Sequence, residues 1–206
     1  NVGDEIIVTQ TKKNGIELEV FGDYVVTKNI NKNAASVSAL ALLKSFKPID
    51  FGFHISVNKK IKPGSGIGSS AASSAGSVFA INELLDRPFT NQELIPFAAE
   101  GEYACTNSYH ADNITAVLLG GITLVRSSKE FDVVKLRTPL QLFVTIIHPQ
   151  VEIKTADSRI IVQRKIEISK LTEQASNLAA FVSALYNEDY EMISRCIKDI
   201  IVEPYR

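Results

Sequence analysis

The chain has 206 residues, 45% of them hydrophobic, and a formal net charge of −1, which is enough apolar material for one large domain or two small ones. A near-neutral balance leaves no basic excess to neutralise a phosphate backbone, so nucleic acid is excluded as the main partner. No apolar run reaches the length of a membrane span, which excludes a helical membrane anchor in this stretch.

Two β-prone runs, Glu5 to Thr9 and Ile16 to Val20, flank Asn14-Gly15, and that pair predicts a hairpin. Asn33 is placed to cap a helix in which Val37, Leu40 and Ala41 share a face. Phe51, Phe53, Ile55 and Val57 then alternate with Gly52, His54, Ser56 and Asn58, the pattern of a half-buried strand with His54 on its wet side. A glycine-rich run follows, and the next helix starts near Ser69 or Ser70 and ends before Arg87-Pro88. Thr90 and Glu93 are spaced as a capping box for a helix reaching about Ala104, and a polar turn from Thr106 to Asn113 comes after it.

Ile114 to Leu119 reads as an apolar helix or strand halted by Gly120-Gly121. Ile122 to Val125 and Leu140 to Ile147 read as strands, the second ended by His148-Pro149. A domain boundary between these strands gives residues 1–135 and 136–206. Thr155 to Arg164 suggests a short helix. Leu171, Ala175, Leu178, Val182 and Leu185 recur at helical spacing as a core stripe, and Ile193, Ile197 and Ile200 continue the pattern in another helix. Cys105 and Cys196 have no metal or redox spacing and read as two reduced thiols, which with no visible signal peptide gives a cytoplasmic protein. The start at Asn1 without methionine, and the end just after helical sequence, read as a piece of a longer protein.

The chemistry points to Pro63-Gly64-Ser65-Gly66-Ile67-Gly68-Ser69-Ser70-Ala71-Ala72. Three glycines in five residues allow positive φ and close backbone approach. The helix that follows adds unpaired N–H groups and the positive end of its dipole, both suited to phosphate. Serine hydroxyls add donors and an oxygen ligand for Mg²⁺. No lysine follows Gly68, so this is not a Walker A loop, and Ser70-Ala71 stand where a dinucleotide fingerprint needs its third glycine. A second constellation is Gly101-Glu102, His110-Ala111-Asp112-Asn113 and Leu118-Leu119-Gly120-Gly121. Read alone, it is equally a polar turn in which Asp112 or Asn113 caps the next helix.

The glycine run resembles the phosphate loop of the GHMP small-molecule kinases, with Ile67 replacing a leucine. Together with His110-Ala-Asp-Asn113, Leu118-Leu-Gly-Gly121, His148-Pro149 and Glu203-Pro-Tyr-Arg206, the chain from about Asn33 onward looks like the homoserine kinase family. The resemblance implies an α+β, two-domain GHMP-kinase fold. Its N-terminal domain would be ribosomal-S5-domain-2-like and its C-terminal domain a ferredoxin-like α/β plait, both truncated here. Residues 1–135 would be the ATP-binding domain without its first motif, and 136–206 part of the substrate-binding domain.

The same resemblance implies ATP and Mg²⁺ as cofactors. Pro63, Gly64, Ser65, Gly66, Ile67, Gly68, Ser69, Ser70 and Ala71, with Asn33, would bind the nucleotide. Ser70 and Glu102 would hold Mg²⁺ and, with Asn113, form the catalytic set. His110, Asn113, Thr155, Arg159 and Arg206 would surround L-homoserine. The implied reaction is phosphorylation of its side-chain hydroxyl for threonine synthesis, by a homodimer. Homoserine kinases are thought to need no general base, so Asp112 is assigned a structural or electrostatic role, in keeping with a loose phosphoryl-transfer transition state. The rival readings are a GHMP kinase acting on another small alcohol, and a non-catalytic ligand- or RNA-binding domain, against which the neutral charge speaks.

Overall fold

Phe53, Ile55 and Val57 expose no surface while the residues between them are half-buried, so the expected alternation turns one face of a strand toward a core. The computed structural model describes residues 3–46, 49–147 and 165–205. In it, that strand is the middle of a three-stranded sheet. The strands are β1 (Glu5–Thr11), β2 (Gly15–Gly22) and β3 (Gly52–Lys59); β3 runs antiparallel to β1 and parallel to β2.

The hairpin expected at Asn14-Gly15 is corrected, because β1 and β2 flank β3 and do not pair with each other. The chain bends over Lys12 to Asn14 and enters β2 at Gly15, whose φ is 103°, but it meets the start of β3, where Asn14 Nδ2 donates to the Ile49 carbonyl at 2.9 Å. A Cβ on Gly52 would lie 2.2 Å from the Gly15 carbonyl oxygen, so glycine there admits the close approach. Burial explains the insertion. β3 carries the fully buried face, and pairing on both edges leaves none of its backbone groups as an open edge.

Helices α1 (Ala34–Leu43) and α2 (Ser69–Leu84) pack on the sheet and on each other, α3 (Ile95–Thr106) packs on both, and α4 (Ala111–Leu119) packs on α2 and α3. Asn33 caps α1 as expected, its side chain accepting from the Ala35 N–H at 3.0 Å. The face of α1 differs from expectation: Ala35, Ser38, Ala39 and Leu42 are buried, while Val37, Leu40 and Ala41 are only half-buried. Close helix contact selects the small side chains. A Cβ on Gly101 of α3 would sit 2.0 Å from Ser38 Oγ and 2.3 Å from the Ala34 carbonyl oxygen.

The Thr90–Glu93 box forms, but it closes the turn before α3, whose own N-cap is Leu94 without a side-chain cap. The Thr90 N–H donates to the Glu93 carboxylate at 2.8 Å and the Glu93 N–H to Thr90 Oγ1 at 3.3 Å. The bonds from Thr90 hold the Glu93 carboxyl below its ordinary range. After α4, β4 (Ile122–Ser127) pairs with β5 (Asp132–Leu136), a strand the sequence pattern did not reveal.

The chain divides into two compact units, Asn1–Lys135 and Leu136–Arg206. The second contains α5 (Ile168–Asn187), α6 (Tyr190–Cys196) and a 3-10 turn, Glu203–Tyr205. Residues 140–147 form no strand, and Leu140 and Phe143 are 97% and 86% exposed. A strand needs a neighbour for its backbone hydrogen bonds, and none lies beside this segment among the described residues. Helix α5 forms where its period predicts, but Leu171 and Leu178 are about half exposed and only Ala184 and Leu185 are buried, so its stripe is not the core expected. Ile193 is buried and Ile197 exposed. The short helix expected from Thr155 to Arg164 lies outside the described residues.

Candidate functional site

The glycine run connects β3 to α2, and each of its glycines uses the freedom that only glycine has without strain. Gly64, Gly66 and Gly68 sit at φ 76°, 79° and 77°. Alternating left-handed residues can form concave nests of backbone N–H groups that bind anions. Gly68 is also the N-cap of α2, and no side chain accepts from the first turn of that helix. A sixteen-residue helix therefore starts with its N–H donors and the positive end of its dipole uncapped, an arrangement suited to phosphate.

The serines divide their labour. Ser69 is buried and donates its hydroxyl to the Ile61 carbonyl at 3.0 Å, closing the base of the loop. Ser70 is half-buried, and its hydroxyl takes no part in the hydrogen bonds found among the described residues. Ser65 Oγ is a buried atom without a hydrogen-bond partner among them. Pro63, Gly64, Gly66 and Ile67 are exposed, and Ala71 is buried in the helix. Asn33 is 4% exposed, and both ends of its amide serve the protein: Oδ1 accepts from Ala35 and Nδ2 donates to the Thr27 carbonyl at 2.7 Å. Its side chain serves as the cap of α1.

Glu102 lies on α3 beside the tight crossing at Gly101. It is 6% exposed, and its Oε2 has no hydrogen-bond partner among the described residues. A buried carboxylate oxygen in that state is costly unless something pairs with it. An oxygen-seeking cation such as Mg²⁺ fits, because it takes one or two protein oxygens and completes its shell with phosphate and water. Among the described residues no group of three His, Cys, Asp or Glu side chains forms a self-sufficient metal cage. Close by, the Cys105 thiol is pushed up by the surrounding protein and then by the Glu102 carboxylate, although the residue as a whole is exposed.

The turn after α3 brings the second constellation to the loop. Asn107 closes α3 at φ 53°, and Tyr103 and Tyr109 stack at 4.7 Å across the turn. Tyr109 Oη donates to Glu100 at 3.0 Å, and Phe131 meets the Tyr109 ring edge-on. His110 is then the half-buried N-cap residue of α4, and Asp112 lies in the first turn, where a carboxylate complements the helix dipole. Asn113 stands against the loop: a Cβ on Gly68 would be 3.2 Å from Asn113 Oδ1. Thr155, Arg159 and Arg206 lie outside the described residues.

Sequence reasoning missed Asp4 and Lys59, which pair beneath the loop. The signal was available: Lys59 falls in phase with Phe53, Ile55 and Val57, so the alternation places a lysine on the inward face.

Known proteins resemble this chain over nearly its whole length. The family model described as GHMP kinases N terminal domain matches residues 29–121. A homoserine kinase of Chlorobium phaeobacteroides (strain BS1) is 39% identical over 215 residues, covering 99% of this chain and 67% of the relative. One from Methanococcus maripaludis is 36% identical over 205 residues, covering 98% and 67%. The crystal structure of homoserine kinase from Cytophaga hutchinsonii superposes with a TM-score of 0.93 at 41% identity, covering 100% of this chain and 66% of that one. The chain thus spans about two thirds of the length of these relatives. The mevalonate kinase of Methanococcus jannaschii, 15% identical with a TM-score of 0.52, shares the fold alone.

Proposed function

Because the chain belongs to the homoserine kinase family of the GHMP kinases, we propose that the protein transfers the γ-phosphoryl group of ATP to the side-chain hydroxyl of L-homoserine, giving O-phospho-L-homoserine for threonine synthesis. The observation that carries the phosphate half of this reading is the uncapped N-terminus of α2 behind three left-handed glycines. The acceptor rests on the names of the relatives.

In this reading the backbone N–H groups of residues 64–70 receive the ATP phosphates, with the Ser65 hydroxyl as an added donor. Ser70 and Glu102 hold Mg²⁺, whose chemistry when bound is to offset the charge on the transferring phosphoryl oxygens. Asn113, against Gly68, and His110, one turn earlier, orient the acceptor hydroxyl toward the loop. Thr155 and Arg159 are four residues apart, which on a helix puts them on one face, and Arg159 with Arg206 would grip the amino acid carboxylate through paired N–H donors. With a loose transition state, orientation and charge compensation suffice, and Asp112 stays with the helix dipole. Residues 1–135 would form the ATP-binding domain and 136–206 part of the substrate-binding one. The resemblance further supports a cytoplasmic homodimer, which light scattering on the full-length protein checks.

The deciding experiment is ADP release by the full-length protein offered homoserine, mevalonate, galactose or shikimate. Turnover with homoserine alone is expected, and turnover confined to another acceptor overturns the reading. Ser70→Ala and Glu102→Gln should lower kcat more than they raise KM for homoserine. Arg159→Ala should raise KM for homoserine about tenfold or more and leave KM for ATP nearly unchanged. A silent Arg159→Ala removes that residue from the site.

A further inference from the structure

Lys59 continues the inward series of β3, yet it ends in a cation with only 2% of its side chain exposed, facing an Asp4 side chain with none exposed. One step beyond the register that pairs Glu5 with Asn58, the two are cross-strand neighbours. Buried ions are costly unless their remaining donors and acceptors are also met. Here those bonds go to the two ends of the glycine loop. Asp4 Oδ1 accepts from the Lys60 and Ile61 N–H groups, both at 2.9 Å, where the chain leaves β3. Lys59 Nζ pairs with Asp4 Oδ2 and donates to the Ser69 carbonyl at 2.9 Å and to Ser73 Oγ at 3.1 Å, in the first turns of α2. Ser69 Oγ donates back to the Ile61 carbonyl at 3.0 Å. Entry and exit of the loop are therefore tied to one ion pair.

We propose that Asp4 and Lys59 are positioning residues: a clamp that holds the two ends of the glycine loop together and so preorganises it for the nucleotide phosphates. The proposal rests on the reading of that loop as the ATP site. Between the clamped ends lie residues 62–68, whose three glycines have the most conformational freedom to lose on binding. Ordering them beforehand removes that cost from the binding step. Lys59 differs from a phosphate-binding lysine because its charge is already matched by Asp4 and buried with it. The pair contributes geometry to the site, not net charge.

The test uses the full-length enzyme, with Asp4→Asn, Lys59→Met and the apolar double variant Asp4→Leu/Lys59→Met. ADP affinity is measured by calorimetry at several salt concentrations, alongside amide hydrogen exchange over residues 62–70 and the thermal midpoint. Each single variant should weaken ADP binding tenfold or more and speed exchange in the loop, with KM for homoserine changed less than twofold and the salt dependence of ADP binding unchanged. The double variant should regain part of the thermal midpoint lost in the single variants, since no lone buried charge remains, without regaining ADP affinity, because the backbone groups at the loop ends that Asp4 and Lys59 bond stay unpartnered. A merely structural pair would recover both together, and that result overturns the proposal, as does wild-type ADP affinity in either single variant. Exchange in the nucleotide-free wild type tests the clamp without any substitution: its loop amides should already be protected, and exchange at the rate of an unstructured chain overturns it. A wild type that binds ADP but leaves homoserine untouched refutes the proposed reaction and leaves the clamp standing.

Discussion

Residues 3–135 close around Phe53, Ile55, Val57, Ala75, Val78 and Ile81, none of which exposes any surface. In the described part of 136–206 the buried apolar side chains are Leu136, Ala184, Leu185 and Ile193, while Leu140, Phe143 and Val144 stand more than four-fifths exposed. Both regions carry strong apolar patterning in sequence. The difference teaches that periodicity specifies a face, whereas a core requires a second face to meet it. β3 finds two strands and two helices; α5 is a well-formed helix whose stripe is mostly uncovered.

The comparison breaks if matched substitutions in the two regions cost the same. Phe53→Ala should lower stability by about 3–5 kcal/mol, through lost transfer energy and the cavity left in a packed site. Leu171→Ala, on the exposed stripe of α5, should cost about 0.5 kcal/mol or less. Denaturant unfolding followed by circular dichroism measures both, and equal losses would mean that α5 is covered in solution.

A smaller effect tests how tightly the first region is packed. Gly101→Ala adds a methyl group where Ser38 Oγ and the Ala34 carbonyl already stand, and overpacking of this kind costs about 1–3 kcal/mol. A thermal midpoint equal to wild type would show that α1 and α3 can separate without penalty. Smaller again is Asn33→Ala, which removes the cap of α1 and the bond to Thr27; a cap is worth about 1 kcal/mol. The smallest change is expected from Leu178→Ser on α5, within about 0.5 kcal/mol of wild type.

The features legible in the sequence are those whose partners lie a few residues away. The three glycines, the start of α2, the Asn33 cap, the Thr90–Glu93 box and the length of α5 all follow from bonds or periods that close locally, so residue type and spacing suffice. Fold class was legible through the ordered motifs that carry the family resemblance, not through any period or local bond. The strand expected at 140–147 failed because alternation says nothing about a neighbour. The chain reverses ahead of Gly15, but which strand then paired with β1 was settled by the buried face of β3, some forty residues on. The site divides in the same way. Its loop could be read directly, while the approach of Asn113 to Gly68, the unpartnered Glu102 oxygen and the bond from Lys59 to Asp4 came only with the tertiary structure. Those contacts join residues 45 to 55 positions apart. No local propensity encodes them, because their free energy appears only once packing has removed water and brought distant elements together.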